Sequence, residues 1–226
     1  MAIQSKYINL SYKLELNTPQ SKEFPQVKCE HYWDVSKGKR ANVFVLTMTS
    51  HSGTHVDAPY HVDPEGLRIS DFDISELIFQ MPLCIDIEVT KKQLIQPAIF
   101  QPYIQNISGC DLLLIRTYFS RFRTRNPNIY WQQSPGFSVD CAKFFRKVFP
   151  NLRAIGLDLP SIICISKKHN TMKAHNELLC GKGRRFLIIE DMFMEVDLSH
   201  LKQIIVAPLM IEKADSAPCT VIGINR

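Results

Sequence analysis

Short apolar runs recur along the whole chain and are separated by stretches in which proline, glycine and polar residues dominate. Continuous apolar runs of this kind, rich in β-branched residues, are typical of strands buried on both faces. The core is therefore expected to consist mainly of strands. Their predicted positions are residues 43–48, 83–87, 112–116, 154–157, 186–189, 204–207 and 221–224.

Two segments show helical signals instead. Ser138 is a suitable N-cap for a helix whose apolar residues recur at helical spacing, and Pro150 ends it. A second helix is predicted over residues 170–179, with its end marked by Gly181 and Gly183. The pattern as a whole predicts an α/β or α+β domain in which strands outnumber helices.

Length, composition and charge narrow the class of protein. The chain has 226 residues, of which 45% are hydrophobic, so it is able to bury a full core, and one domain is expected over 1–226. The formal net charge of +5 is spread over short basic runs, mainly 37–40, 121–125 and 183–185, which are usually solvated loop faces. Only 118–125 mixes basic and aromatic residues, and no binding motif accompanies it. No nucleic-acid partner is expected.

The cysteines and the amino-terminal segment indicate the cellular compartment in which the protein is expected. The 7 cysteines are scattered, odd in number and form no C-x-x-C pair, which disfavours a disulfide framework. The first residues lack a basic region followed by an apolar run, and no apolar stretch is long enough to span a membrane. A cytoplasmic protein without a membrane partner is expected.

Histidines and one aspartate are concentrated in residues 51–61, which read HSGTHVDAPYH. Side chains alternate between the two faces of an extended backbone, so the odd-numbered positions of this segment would share one side. Gly53 and Pro59 disfavour a helix here. An extended or looped segment is therefore predicted to bring four polar side chains together. They belong to His51, His55, Asp57 and His61.

The residue types in this cluster indicate a metal site. Imidazole nitrogens and carboxylate oxygens are the usual protein ligands of catalytic zinc and manganese. His51, His55 and Asp57 supply three ligands and leave a position for water, whose pKa a divalent cation lowers toward about 7. His61 is then a candidate general acid or base, since a fourth ligand would close the site. The same residues are also compatible with two other interpretations. They could be loop histidines whose hydrogen bonds are made within the protein, or they could form a structural metal site that catalyses no reaction.

The motif resembles the H-x-G-T-H-x-D-x-P-x-H signature of the metal-dependent cyclase-like hydrolases, a family that includes bacterial kynurenine formamidase and isatin hydrolase. The resemblance extends over nearly the whole chain. Residues 8–11 resemble the family's opening strand, 111–117 its central strand, 155–161 its G-x-D-x-P-S segment, and 208–218, with Asp215, its final stretch. It implies a compact cyclase-like α/β/β domain, and members of the family form dimers or tetramers.

The resemblance also implies a role for each polar residue of the motif. His51, His55 and Asp57 would bind a first metal ion, with Asp57 bridging to a second. His61 would donate and accept the proton.

The remaining ligands of the second ion follow the G-x-D-x-P-S segment in formamidase-type members. His175 matches the histidine, and Glu190, at the end of a predicted strand, matches the glutamate. A few extra residues over 180–185 have to bulge outward for the Glu190 match to hold. His169 is a rival ligand to His175 and is expected to face solvent. Asp158 is expected to be a structural hydrogen-bonding residue and not a catalyst.

Formamidase-type members carry a Trp-Pro-Gly-Asp element whose aromatic ring stacks on the substrate. Residues 23–26 here read Glu-Phe-Pro-Gln, so Phe24 keeps an aromatic face for substrate binding while the Gly-Asp pair is absent. The family's Arg-Thr-Gly turn reads Arg-Thr-Tyr over 116–118. The segment after that turn is rich in aromatic residues, which are either core or oligomer contacts or part of a reshaped pocket. They are Phe119, Phe122, Tyr130 and Trp131.

Taken together, the motif and the resemblance predict an arylformamidase-like, metal-dependent amidohydrolase that opens an amide bond in a small aromatic substrate. N-formylkynurenine is the leading substrate, and a cyclic amide or ester of the isatin type is the second. Zinc is the expected metal and manganese an alternative, with one or two ions per chain. A homodimer or homotetramer is expected.

Two other classes of protein are weighed against this enzyme. A non-catalytic metal-binding interaction protein is an alternative, although a purely structural site has no need of His61. A zinc-dependent nucleic-acid module would require cysteine ligand pairs, which the chain lacks.

Overall fold

The computed structural model of the chain describes residues 5–180 and 185–226, apart from the side chains of 168–171. In this part it contains 13 strands and 5 α-helices. The strands are β1 (Tyr7–Asn9), β2 (Lys28–Trp33), β3 (Val43–Thr47), β4 (His55–Asp57), β5 (Ile78–Phe79), β6 (Pro82–Asp86), β7 (Leu94–Ile95), β8 (Leu112–Arg116), β9 (Gly136–Phe137), β10 (Ala154–Leu157), β11 (Leu187–Glu190), β12 (Leu201–Pro208) and β13 (Ser216–Asn225). The helices are α1 (Ile104–Ile107), α2 (Arg121–Arg125), α3 (Pro127–Gln132), α4 (Val139–Val148) and α5 (Lys168–Leu179).

A 9-stranded mixed sheet forms the centre of the molecule, in the order β5-β12-β13-β4-β11-β10-β8-β6, with β1 paired to β13. Strands β6, β8, β10 and β11 are parallel to one another, whereas β4 is antiparallel to both β11 and β13. The short strand β4 therefore joins the parallel half of the sheet to the antiparallel half. Ligand sites in open α/β sheets lie beyond the carboxyl ends of the strands, so this junction is the expected place for one.

Side chains of the parallel strands alternate between two hydrophobic cores. Leu113 and Ile155 belong to the core on the helical side, where they share a cluster with Phe145 of α4. Leu112 and Leu114 belong to the opposite core, which also contains residues of β5, β12 and β13. Helices therefore cover one face and antiparallel strands the other, and the predicted α/β/β domain with strands outnumbering helices is confirmed. The single domain over 1–226 stays a prediction.

Most predicted elements are confirmed, two of them residue for residue. The apolar runs at 112–116 and 154–157 coincide with β8 and β10. The helix predicted after Ser138 is α4, and the Ser138 hydroxyl accepts a hydrogen bond from the backbone N–H of Cys141, as its capping role requires. The second helix, α5, begins two residues earlier than predicted, at Lys168. Its predicted stop at Gly181 and Gly183 lies outside the described residues.

The basic run at 121–125 behaves differently from the prediction. It forms α2, and Arg123 is buried and pairs with Asp191 at 2.7 Å, so this run is not simply a solvated face. No helix in the described ranges has the length and apolar character needed to cross a membrane.

The strand predicted over 43–48 forms as β3, but it is neither buried nor part of the central sheet. Among the described strands it pairs only with β2, and its residues from Val43 to Leu46 are 38–56% exposed. Exposure of consecutive residues shows that both faces of this hairpin are open. We call residues 28–47 the arm. The arm ends at Thr47, and turns connect it to the histidine motif that begins at His51.

Gly136 permits a close backbone contact behind the site. A Cβ at this position would lie 2.1 Å from the backbone nitrogen of Cys164. We expect Gly136→Ala to lower the free energy of unfolding by about 3 kcal/mol, at the upper end of overpacking costs, because backbone atoms are unable to rotate away. Gly109→Ala is the matched control, since a Cβ at that position would meet nothing within 4 Å, and it should change stability by less than about 0.5 kcal/mol. Urea denaturation measures both, and equal stabilities would contradict the prediction.

Candidate active site

The histidine motif folds as a turn, a short strand and a 3-10 turn. Gly53 adopts φ +67°, residues 55–57 form β4, and residues 59–61 form the 3-10 turn. The extended or looped segment predicted for 51–61 is therefore observed, with β4 as its extended part and turns on either side. The expected convergence of the polar side chains is also observed, because the turns on either side of β4 bring His51 and His61 back toward Asp57.

Four buried side chains face one another near the carboxyl end of β11. His55 and Asp57 lie on β4, His175 on α5, and Glu190 at the end of β11. The Nε2 atom of His55 lies 3.5 Å from an oxygen of Asp57 and 3.5 Å from one of Glu190. The Nε2 atom of His175 lies 3.4 Å from Asp57 and 3.5 Å from Glu190. The β4–β11 pairing sets this arrangement, since it places Glu190 opposite His55.

These separations fit a bound cation better than direct hydrogen bonds. A distance of 3.4–3.5 Å is too long for a good hydrogen bond, whereas ligand atoms about 2.1 Å from a tetrahedral ion lie about 3.4 Å apart. The Nε2 atoms of His55 and His175 and the Oδ2 atom of Asp57 are buried without a hydrogen-bond partner in the described part of the chain. Buried polar atoms are normally paired, so this set of donor atoms has the chemistry of a divalent-metal site.

Asp57 belongs to two potential metal-binding groups. One is His55, Asp57 and Glu190, and the other is His51, Asp57 and His61; in each, one ligand atom from every residue lies within 4.8 Å of the others. The Nδ1 atom of His51 lies 3.1 Å from Asp57. Asp57 is therefore the one residue that the two groups share.

The electrostatics of the site favour a cation. Burial alone would lower the pKa of His51, but the charge of Asp57 and the contact with Asp215 outweigh burial and raise it to about 10. Burial alone would also lower the pKa of His175, which contacts with Asp57 and Glu190 raise to about 9. Burial and the charge of Asp57 would raise the pKa of Glu190, yet the facing His175 and His55 lower it to about 2. The buried carboxylates thus require compensating positive charge, which protonated imidazoles or metal ions supply.

Backbone groups and one side-chain hydroxyl hold the candidate ligands His55 and Glu190 in place. His55 Nδ1 lies 2.8 Å from the carbonyl oxygen of Gly53, so Nδ1 is the protonated nitrogen and Nε2 faces the site. Glu190 accepts hydrogen bonds from the backbone N–H of Ile162 and the hydroxyl of Ser161. The Glu190 position agrees with the expectation from the resemblance, although residues 181–184 of the preceding loop lie outside the described part. The side chain of the rival ligand His169 also lies outside it.

A cavity of about 210 Å³ opens onto these residues. Phe24 lines it and lies nearly parallel to the His51 ring, with 6.2 Å between ring centroids. Trp131 and Ile163 also line the cavity. All seven residues predicted for the site therefore surround one cavity; they are Phe24, His51, His55, Asp57, His61, His175 and Glu190.

The aromatic segment after β8 divides between core and cavity. Phe119 and Tyr130 are fully buried in the helical core, whereas Trp131 reaches the cavity wall. Both interpretations of the segment thus hold, for different residues.

Asp158 is buried and accepts hydrogen bonds from the backbone N–H and hydroxyl of Thr117, as expected of a structural residue. Burial raises its pKa to about 6 despite these hydrogen bonds.

Sequence reasoning missed the part played by Asp215. Its side-chain oxygen Oδ2 lies 2.9 Å from His51 Nε2 and 2.8 Å from His61 Nδ1. Burial would raise the pKa of Asp215, but these contacts lower it. The only signal in the sequence was its position in the final stretch of the family pattern.

The mixed sheet and its buried cluster of histidines and carboxylates define an α/β protein with a candidate divalent-metal site. The family model for Cyclase, described as "Putative cyclase", matches residues 8–162. The chain therefore belongs to the cyclase family, as the motif predicted.

Individual relatives agree with this membership. The chain is 28% identical over 214 residues to the kynurenine formamidase of Bacillus anthracis, with 95% of each chain covered. Isatin hydrolase A from Labrenzia aggregata superposes with a TM-score of 0.78 at 19% identity, over 97% of this chain and 94% of that chain. A protein described as a predicted metal-dependent hydrolase, from Bacillus stearothermophilus, superposes with a TM-score of 0.75 at 20% identity, over 98% of both chains. The two solved structures establish the shared fold.

Proposed function

We propose that the protein is a metal-dependent hydrolase that cleaves an amide bond in a small aromatic substrate. The observation that carries this proposal is the set of buried, unpaired ligand atoms on His55, Asp57 and His175, which borders a cavity with aromatic and aliphatic walls. Similarity to a kynurenine formamidase over 95% of the chain supports an amide bond as the target and makes N-formylkynurenine the leading substrate.

Zinc is the metal we propose, with manganese as the alternative. The donor set of imidazole and carboxylate suits either ion. The resemblance assigns His51, His55 and Asp57 to a first ion and His175 and Glu190 to a second. The contacts favour a different division, in which His55, Asp57, His175 and Glu190 would hold one ion, and the position of Asp57 in both ligand groups supports a second ion beside His51. When bound, a divalent cation polarises a carbonyl group and acidifies water at neutral pH.

His61 is the residue we assign to proton transfer. Its ring centroid lies 4.5 Å from that of His51 and 5.3 Å from that of His175, so it lies beside the ligands and lines the same cavity. An imidazole beside the reacting carbonyl is able to accept a proton from the attacking water and return it to the leaving nitrogen. That nitrogen leaves as a neutral amine once it has been protonated.

Phe24 and Trp131 would bind the aromatic part of the substrate. Both line the cavity, although they come from different parts of the chain. Trp131 supplies an indole ring to a cavity in which Phe24 occupies the position of the family's amino-terminal tryptophan. Flat aromatic rings stack favourably against such side chains, by about 0.5–1.5 kcal/mol beyond the area that they bury.

The test is hydrolysis by protein that has been stripped with a chelator and reloaded with zinc or manganese. Release of formate from N-formylkynurenine by the loaded protein, and not by the stripped protein, is the expected result. Formanilide, isatin and an aryl ester are tested in the same assay. If the protein prefers isatin, the substrate is a cyclic amide and the type of reaction is unchanged. If the folded, metal-loaded protein hydrolyses none of these compounds, the proposal is wrong and a non-catalytic metal-binding protein becomes the better interpretation.

A second copy of this chain is the macromolecular partner we propose. Both faces of β3 are apolar, with Val43 and Val45 on one face and Phe44 and Leu46 on the other, and all four are exposed. An isolated two-stranded hairpin is at best marginally stable in water, and a contiguous apolar patch of this kind marks an interface.

The same molecule carries an apolar groove beside the base of the arm. The groove has a volume of about 500 Å³, and Leu14, Leu46 and Leu209 are among its lining residues. Two copies related by a twofold axis would bury the arm of each against the groove of the other, and every new contact would then form twice.

We expect light scattering after size-exclusion chromatography to show a dimer or tetramer at about 50 μM protein. The double variant Phe44→Lys, Leu46→Lys should be monomeric, because two charges in an apolar interface cost several kcal/mol. Met81→Lys is the matched control, since Met81 is 61% exposed and lies outside the arm. A wild-type protein that is monomeric at this concentration would refute the proposed partner.

The cytoplasm is the compartment we propose. All 7 cysteines are free thiols, and several are buried in the hydrophobic cores. Free thiols persist in a reducing compartment, whereas an oxidising one favours disulfides.

A further inference from the structure

Asp215 connects the two histidines that lie on the outer side of the site. Its oxygen Oδ2 contacts both His51 Nε2, at 2.9 Å, and His61 Nδ1, at 2.8 Å. Its other oxygen, Oδ1, accepts a hydrogen bond from the hydroxyl of Ser50 at 2.9 Å, and the Ser216 hydroxyl lies 3.4 Å from it. One carboxylate thus contacts both a candidate ligand and the candidate proton-transfer residue.

These contacts determine which ring nitrogens carry protons. An ionised carboxylate only accepts hydrogen bonds, so His51 Nε2 and His61 Nδ1 must both be N–H donors. In a neutral imidazole the other nitrogen then has the free lone pair. For His51 that nitrogen is Nδ1, which lies 3.1 Å from Asp57, and for His61 it is Nε2.

The backbone fixes the position of Asp215 relative to the metal ligands. Its carbonyl oxygen accepts a hydrogen bond from the backbone N–H of Ala58 at 3.0 Å. The next residue, Ser216, begins β13 and pairs directly with Asp57 on β4. Asp215 therefore lies where the sheet register places it, and its carboxylate does not depend on a flexible loop to reach the histidines.

We propose that Asp215 is a positioning residue that acts on both histidines. It holds His61 with Nε2 available for proton transfer, and it holds His51 with Nδ1 available to a metal ion. The inference rests on the proposed hydrolase function for His61, whereas the part that concerns His51 is measurable as metal affinity. Carboxylates that orient ligating histidines typically change metal affinity or activity 10- to 100-fold when they are replaced.

The experiment compares Asp215→Asn and Asp215→Ala with wild type. We expect kcat to fall about 10- to 100-fold with KM changed less than about threefold, because Asp215 is not one of the residues that line the cavity. Zinc affinity, measured by competition with a chromophoric chelator, should fall about 10- to 100-fold. Glu212→Gln is the matched control: Glu212 is an exposed carboxylate three residues earlier in the same loop, paired with Lys213, and should leave all values unchanged.

Histidine tautomers provide a measurement that a merely structural role would not change. In zinc-loaded wild type, long-range nitrogen–proton NMR correlations should show His61 protonated at Nδ1. In Asp215→Ala, with its fold confirmed by circular dichroism, this preference should be lost. Ser50→Ala should give an intermediate effect, since Oδ1 loses one donor while Oδ2 keeps both histidines.

The outcomes separate the two proposals. If wild type hydrolyses no amide but Asp215→Ala weakens zinc binding and changes the His61 tautomer, the positioning role stands and the proposed reaction fails. If wild type is active and Asp215→Asn and Asp215→Ala match it in kcat, zinc affinity and tautomer, the positioning role is wrong.

Discussion

Replacing Asp57 with asparagine should weaken zinc binding about 10²- to 10⁴-fold and abolish amide hydrolysis. Asp57 is buried at the centre of the site, and its two oxygens face three histidines. Removing one member of a buried charge pair costs about 3–5 kcal/mol, and each 1.4 kcal/mol corresponds to a factor of ten. The amide keeps the shape of the side chain, so the change isolates the lost charge.

Thermal unfolding provides the second measurement for Asp57→Asn. A ligand at 100 times its Kd stabilises the folded state by about 2.7 kcal/mol, so zinc should raise the Tm of wild type. The same zinc concentration should leave the Tm of the variant nearly unchanged. Glu65→Gln is the control, because Glu65 is an exposed carboxylate in the segment that follows the motif. Wild-type zinc affinity in Asp57→Asn would show that the metal site has been assigned to the wrong residues.

Replacing His61 with alanine should lower kcat about 10²- to 10⁴-fold while zinc still binds. Loss of a general acid–base group typically has an effect of this size. The structure makes this variant informative, since His61 also belongs to one of the two candidate ligand groups, with His51 and Asp57. A proton-transfer role predicts unchanged zinc stoichiometry, whereas a ligand role predicts that one ion is lost.

Metal content by mass spectrometry, measured alongside kcat, decides between these roles for His61. His200→Ala is the control, because His200 is exposed and lies outside the cavity-lining residues. Full activity of His61→Ala would exclude both roles. Loss of activity together with one equivalent of zinc would assign His61 to the second ion.

Local patterns in the sequence predicted the central strands and the longer helices well. β8 and β10 are buried on both faces, so an uninterrupted apolar run is the only pattern compatible with their environment. Helix α4 combines an amphipathic pattern with a serine cap, and both signals lie within the helix and its first turn. The metal-binding motif was equally visible, because four of its polar groups lie within eleven residues.

Local sequence patterns did not predict the features that depend on contacts between segments far apart in the chain. The exposed strand β3 looks like a buried strand in sequence, since an apolar run does not reveal whether it is covered by its own chain. The contact between Asp215 and the histidines depends on the pairing of β13 with β4, which are more than 150 residues apart in sequence. The cavity position of Trp131 likewise follows from tertiary packing and not from local periodicity.

The central place of β13 constrains the order in which the molecule is able to assemble during synthesis. β4 lies between β11 and β13, so a nascent chain that has emerged from the ribosome only through β11 has one open edge beside the histidine motif. Asp215 and the strand that anchors it are still missing at that stage. The motif is translated early, yet the residues of β13 that pair with β4, 216–218, leave the exit tunnel only near the end of synthesis. Pairing between segments that are far apart in sequence is slow, so the pairing of β13 with β4 determines how soon the complete site is assembled.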